Sequence, residues 1–195
     1  ECDWIQSQHT SQNIVYVAWL GDITDSGDDS TQPKQWDSAW KALSRLESPV
    51  SIPYGTAVGN HDNFGTPLTA TTVKYNQFFG VSHFAGRPYY GGNYNGAGGN
   101  NNDSHYDLFS AGGIDFIVIY NEFDDNRNQD QANMNTWAFN PLGTYASRKA
   151  IIVSHSILLN RKTDGVTYLA PWTGQGRRIY DRLKEKPNVF MMLCG

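Results

Sequence analysis

Basic charge, cysteine and long apolar runs are all scarce in this sequence, and each scarcity removes a class of function. Fifteen Lys and Arg stand against nineteen Asp and Glu, a formal charge of -4 at pH 7. A protein that neutralises a nucleic-acid backbone needs a basic excess, so no nucleic-acid surface is evident. No run approaches the roughly 18 to 20 continuous apolar residues of a membrane-crossing helix, and the longest apolar stretches have strand length. Two cysteines, Cys2 and Cys194, are too few for a disulfide framework, and neither belongs to a CxxC unit of the zinc or redox kind. Cys194 reads as a buried free thiol; the sequence leaves Cys2, and any pairing between the two, open. The start carries no initiator Met, basic n-region or apolar signal core, so a chain trimmed from a longer reading frame is expected.

The remaining composition suits one globular domain over residues 1–195, with 39% apolar and 13% aromatic residues to fill a core. Abundant Gly, Asn and Tyr with only seven Lys point to a secreted or periplasmic protein. Asn102-Asp103-Ser104 matches the N-glycosylation acceptor pattern.

Apolar periodicity orders the chain. Residues 3–12 are helix-compatible, and 14–20 (Ile-Val-Tyr-Val-Ala-Trp-Leu) read as a strand buried on both faces, ending at Gly21-Asp22. A helix opens at Pro33 and Trp36 and runs to about Leu46, where Trp36, Ala39, Trp40 and Leu43 make one core-facing stripe. A second strand, 52–58, runs into Gly59-Asn60-His61-Asp62, and a short helix follows over 71–79. Residues 86–103, rich in Gly, Asn and Tyr, read as a long surface loop with no part in the core. Gly112-Gly113 joins strands 106–109 and 114–120 as a hairpin. A helix near 131–138, ended by Pro141, leads to strand 150–153 and at once to Ser154-His155-Ser156; helix 176–186 and strand 189–193 close the chain. Parallel strands with crossover helices beside a hairpin predict an α/β fold containing two packed sheets.

The chemistry collects at strand ends. Three strands stop at Gly-Asp, at Gly-Asn-His-Asp and at Ser-His-Ser, each placing a metal-capable group just past its carboxyl end, the rim at which open α/β sheets hold ligands. A carboxylate, an amide oxygen and an imidazole suit zinc, manganese or iron(II) better than calcium, which wants mostly oxygen. Alone, Asp22 reads as a turn or capping carboxylate, Asn60 and Asp62 as turn residues, and His155 as a hydrogen-bonded strand-end histidine. The order of the three blocks reverses that balance. His9, His83 and His105 lack partners at ligand spacing and read as structural, although His105 has an orientation open to it that points into the cleft.

In that order, Gly21-Asp22-Ile23-Thr24-Asp25, Gly59-Asn60-His61-Asp62 and His155 resemble the calcineurin-like metallophosphoesterase superfamily, whose blocks run D-x-H, G-D-x-x-D, G-N-H-D/E, an isolated His and G-H-x-H. The resemblance implies a four-layer α-β-β-α sandwich with two mixed sheets. It implies two divalent metal ions, Zn, Mn or Fe, with Asp22 bridging them and Asn60 and His155 on the second. His61 then protonates the leaving alkoxide, Asp62 orients its imidazole, and Asp25 stands behind the ligands. Residues 1–21 contain no D-x-H, since Asp3 is followed by Trp4-Ile5, and the sequence reaches Gly195 without a G-H-x-H, so the catalytic domain is expected to be truncated at both ends, the first metal short of ligands and the activity of the fragment itself in doubt. Thr24 and Asp25 stand where the purple acid phosphatase branch has a Tyr ligand, which disfavours that branch. The implied substrate is a small phosphomonoester or phosphodiester. The alternative is a secreted module that holds sugar or another ligand on residues 86–103 without catalysis.

Overall fold

The structure is a computed structural model that describes residues 1–195 apart from 28, 30, 32–33, 64–71, 97–98, 124–127, 160 and 163–167. Pro33 and Thr71, which open two of the expected helices, lie outside the described residues. The elements run α1 (Cys2–Gln8), β1 (Val17–Trp19), α2 (Lys34–Leu43) with a 3-10 turn (Ser44–Glu47), β2 (Tyr54–Thr56), α3 (Val73–Phe79), α4 (Val81–Phe84), β3 (Tyr90–Gly96), β4 (Gly99–Ala111) and β5 (Ile114–Asn121). They continue with α5 (Asn128–Thr144), β6 (Lys149–Ser154), the short β7 (Arg161–Lys162) and β8 (Tyr168–Leu169), α6 (Gly174–Leu183) and β9 (Val189–Leu193).

Two sheets carry the fold. β1 and β2 pair in parallel, and a five-stranded sheet has the order β3-β4-β5-β6-β9, antiparallel from β3 to β5 and parallel from β5 to β9; β7 and β8 make a separate two-stranded ribbon. Of the two expected mixed sheets, only the larger is mixed. The β1 strand is shorter than its apolar run and half-buried rather than buried on both faces, because among the described residues it pairs with β2 alone.

Three apolar clusters hold these layers. Trp36, Leu43, Tyr75, Phe79 and Phe84 from α2, α3 and α4 pack with Tyr54 and Val58 of the β2 segment. Ile117, Ile119 and Ile152 pack against Ala138, Leu142, Ile179 and Leu183 of α5 and α6. Between the sheets, Ala18, Leu20 and Ala57 meet Val118, Tyr120, Val153 and Leu193. Alternation explains the split: on β5, Ile117 and Ile119 point one way, Val118 and Tyr120 the other.

Polar groups also enter the inter-sheet layer. The Tyr16 hydroxyl donates to Asp107 Oδ2 at 2.5 Å and lies 3.0 Å from the Tyr120 hydroxyl, and His105 stacks on Tyr120 at 4.5 Å. Burial pushes the Asp107 carboxyl up to about 8 despite the Tyr16 hydrogen bond, so it keeps its proton at neutral pH. Burial pulls His105 down to about 4, which leaves it neutral within the core and not in the cleft.

Residues 86–103 are the main departure from the sequence reading. Of these, 90–96 form β3 and 99–103 the first part of β4, paired antiparallel rather than left as a loop. Few aliphatics announce it; side-chain hydrogen bonds replace them. Asn93 Nδ2 donates to Asn100 Oδ1 at 3.0 Å and to the Asn101 carbonyl at 2.8 Å, and the Tyr90 hydroxyl donates to Asn102 Oδ1 at 2.7 Å. Asn102 is fully buried, its amide also donating to the Phe79 carbonyl, so the glycosylation triplet presents no accessible acceptor. The α5 helix continues three residues past Pro141, because Leu142 is buried in the helix-facing core. Both cysteines are free; Cys2 is the buried one and Cys194 is half-buried, the reverse of the expected emphasis.

Candidate metal centre

Parallel pairing turns three separate sequence blocks into one place. β1 leads to Asp22 and β2 to Asn60 and His61 in one sheet, while β6 leads to His155 in the other. The turn after β1 is left-handed, with φ of +97° at Gly21 and +49° at Asp22. A side chain at Gly21 would be strained there, and its Cβ would lie 2.8 Å from His155 Nδ1. Gly59 is equally constrained, since a Cβ would stand 2.2 Å from Asp22 Oδ1. These two glycines let carboxylate and imidazole approach.

His155 Nδ1 lies 3.0 Å from the Leu20 carbonyl, which can only accept, so Nδ1 carries a hydrogen and the lone pair of the neutral ring is on Nε2. That Nε2 faces Asn60 Oδ1 at 3.0 Å and Asp22 Oδ2 at 3.2 Å. Three acceptor atoms thus converge, and acceptors at hydrogen-bond distance repel unless a cation sits among them. Either the imidazole takes a second proton or a metal ion takes its place. The first tendency is visible in the pKa values: the hydrogen bond to Asp22 raises His155, and His155 together with the His61 N–H lowers Asp22 against the opposing effect of burial. One carboxylate, one imidazole and one amide oxygen are a donor set that a borderline divalent ion accepts. Among the described residues no three His, Cys, Asp or Glu side chains converge on one point; the third donor here is an amide.

His61 is exposed on the same rim. Its N–H donates to Asp22 Oδ1 at 3.0 Å, and its Nδ1 donates to the carbonyl of Asp25, leaving Nε2 toward solvent. That carbonyl contact, then the fields of Asp22, Asp25 and Asp62, hold the His61 pKa above the ordinary value. Asp62 does not hold the ring, contrary to the sequence reading. Its buried carboxylate accepts from the N–H groups of Gly59 at 2.9 Å, Thr24 at 2.9 Å and Ile23 at 3.2 Å, and from the Thr24 hydroxyl at 3.1 Å. Burial raises its pKa even so. Asp62 therefore ties the loop after β1 to the loop after β2, and Asp25 reaches the site through its main chain. Neither role has a side-chain signature in the sequence.

Phe123 was also missed. Its ring centre lies 6.2 Å from that of His155, edge to face, and its N–H donates to the Val58 carbonyl at 3.1 Å. Its only sequence signal is a place two residues beyond the end of β5.

The profile of calcineurin-like phosphoesterases matches residues 3–195, nearly the whole chain. This chain belongs to that family. Among curated proteins it is 33% identical over 199 residues to the uncharacterized protein YvnB of Bacillus subtilis (strain 168). That match covers 100% of this chain but 13% of YvnB, so the chain spans a small part of the relative's length.

Proposed function

We propose that this chain is part of the catalytic domain of a metal-dependent phosphomonoesterase or phosphodiesterase, built as a four-layer α-β-β-α sandwich. Asp22, Asn60 and His155 hold one divalent ion, Zn, Mn or Fe, and Asp22 reaches toward a second. The observation that carries this reading is the convergence of three acceptor atoms, with no Lys or Arg paired to Asp22 among the described residues. A bound metal there supplies positive charge against the phosphoryl oxygens and acts as a Lewis acid. The protein's own groups do the rest. His61 holds a proton at Nε2, aligned by the Asp25 carbonyl on Nδ1, and delivers it to the leaving alkoxide. Asp62 keeps the two loops at fixed separation, so that His61 and Asp22 keep their spacing.

Metal analysis coupled to hydrolysis of a chromogenic phosphomonoester and a phosphodiester tests the proposal. Metal bound in proportion to protein, with turnover that a chelator abolishes, is the expected result. A chain extended at both ends that binds no divalent ion and cleaves neither substrate would overturn it.

A further inference from the structure

Around the metal rim the structure builds an edge that the phosphate chemistry does not use. Phe123 is half-buried, with its ring edge to face on His155. The preceding Glu122 N–H donates to Ser104 Oγ on β4 at 3.1 Å, which brings β4 alongside this corner. Because His105 pairs with Tyr120 near the end of β5, the residues of β4 before His105 run past the rim on the same side as the site. Asn100 lies five residues beyond, about 16 Å at strand rise, and β4 stands two strand spacings, about 10 Å, from β6, the strand that delivers His155.

This arm is fixed, and it carries no Lys or Arg. At its base the Thr72 hydroxyl donates to Asp103 Oδ2 at 2.5 Å, Asn76 Nδ2 donates to Asp103 Oδ1 at 2.6 Å, and the Asn102 N–H donates to Asn76 Oδ1 at 2.8 Å. Higher up, the Asn93 amide braces it across the strands. Asn95 and Asn100 are exposed, and Tyr94 and Asn101 half-buried. From Pro88 to Asn121 the sequence has no Lys or Arg. Along this arm a polyanionic leaving group would meet no Lys or Arg among the described residues. Amides and a phenol suit hydroxyl groups, while the face of Phe123 suits the C–H face of a ring.

We infer that the alcohol half of the substrate is a neutral polyhydroxylated group, a sugar or polyol, which lies along Phe123 toward the amide-rich β3–β4 arm while its phosphate sits at Asp22, Asn60 and His155. This deepens the phosphoesterase reading and rests on it. Calorimetry on manganese-loaded protein, comparing a hexose 6-phosphate with inorganic phosphate, tests it, with metal content measured on the same samples. The hexose phosphate should bind about tenfold more tightly. The ratio of the two affinities should fall to near one in Phe123→Ala and stay near tenfold in Phe123→Tyr. A ratio of one in the unaltered protein, or a ratio untouched by Phe123→Ala, overturns the inference while leaving the metal reading intact. A trinucleotide that binds more tightly than the hexose phosphate overturns it too. Protein that takes up no manganese brings down the phosphoesterase reading and this inference with it, and the metal analysis separates that failure from the others.

Discussion

Two clusters in this protein join a histidine to a carboxylate, and they settle their charge in opposite ways. Beneath α4, Glu47 accepts from the Tyr54 hydroxyl at 2.7 Å and from His83 at 2.8 Å, and pairs with Arg87 at 2.9 Å. Burial opposes its charge, yet the hydrogen bonds from His83, Tyr54 and Arg87 together hold Glu47 at about 2. That cluster is closed: its cation is part of the chain. At the rim, Asp22 and His155 meet an amide oxygen instead of a guanidinium. Asp107, between the sheets, shows a third solution, the retained proton. A histidine near a carboxylate is therefore weak evidence of function by itself. What distinguishes the rim is a set of acceptors with no Lys or Arg paired to them among the described residues, backed by glycines that hold the space.

Removing the rim's charge should have the largest effect. Asp22→Asn keeps the size but loses the carboxylate, and should weaken metal affinity by at least about a hundredfold and abolish turnover, read by metal analysis and a chromogenic assay. Next comes His61→Asn, for which turnover should fall by about 10² to 10⁴ while metal content stays near its original level. A large loss of metal from that variant would contradict the proton-carrying role.

The two charge clusters away from the rim give smaller effects, on stability alone. Asp107 has a folded pKa of about 8 against 3.8 for the free side chain, so its contribution is fully present below about pH 4 and is lost as pH rises through 8. Asp107→Asn should be near neutral at pH 4 and stabilising by about 2–4 kcal/mol at pH 8, measured by urea unfolding at both values. Glu47 has the opposite sign. Its folded pKa lies below the reference of 4.5, so its contribution is present above that value and is lost as pH falls toward 2. Arg87→Ala should cost about 1–3 kcal/mol at neutral pH and leave metal uptake unchanged, since the pair is mostly but not wholly buried. An Arg87 variant that lost its metal would dissolve the contrast between closed and open clusters.

Much of the site was legible because its signals are local. An apolar run that stops at Gly-Asp, Gly-Asn-His-Asp or Ser-His places a polar group at a strand end whatever the rest of the chain does. The hairpin β4–β5 was legible for the same reason, through Gly112-Gly113 between two apolar runs. The β3–β4 arm was not, because Asn, Gly and Tyr have little intrinsic strand signal and acquire their structure from Asn93, Asn100 and Asn102 bonding across strands and to α3. Main-chain roles were equally hidden. No side-chain pattern announces that the Asp25 carbonyl aligns His61, or that Asp62 bonds to three N–H groups and a hydroxyl rather than to the imidazole.

The sequence by itself determined the family and which residues stand at the strand ends, since both depend on residue type and order along a few apolar strands. Only the tertiary structure decided that His155 Nε2, Asn60 Oδ1 and Asp22 Oδ2 face one another, that Phe123 flanks them and that an amide-rich arm rises alongside. Those relations join residues that stand up to 133 positions apart, Asp22 and His155, and they arise from how two sheets pack, which no local pattern contains.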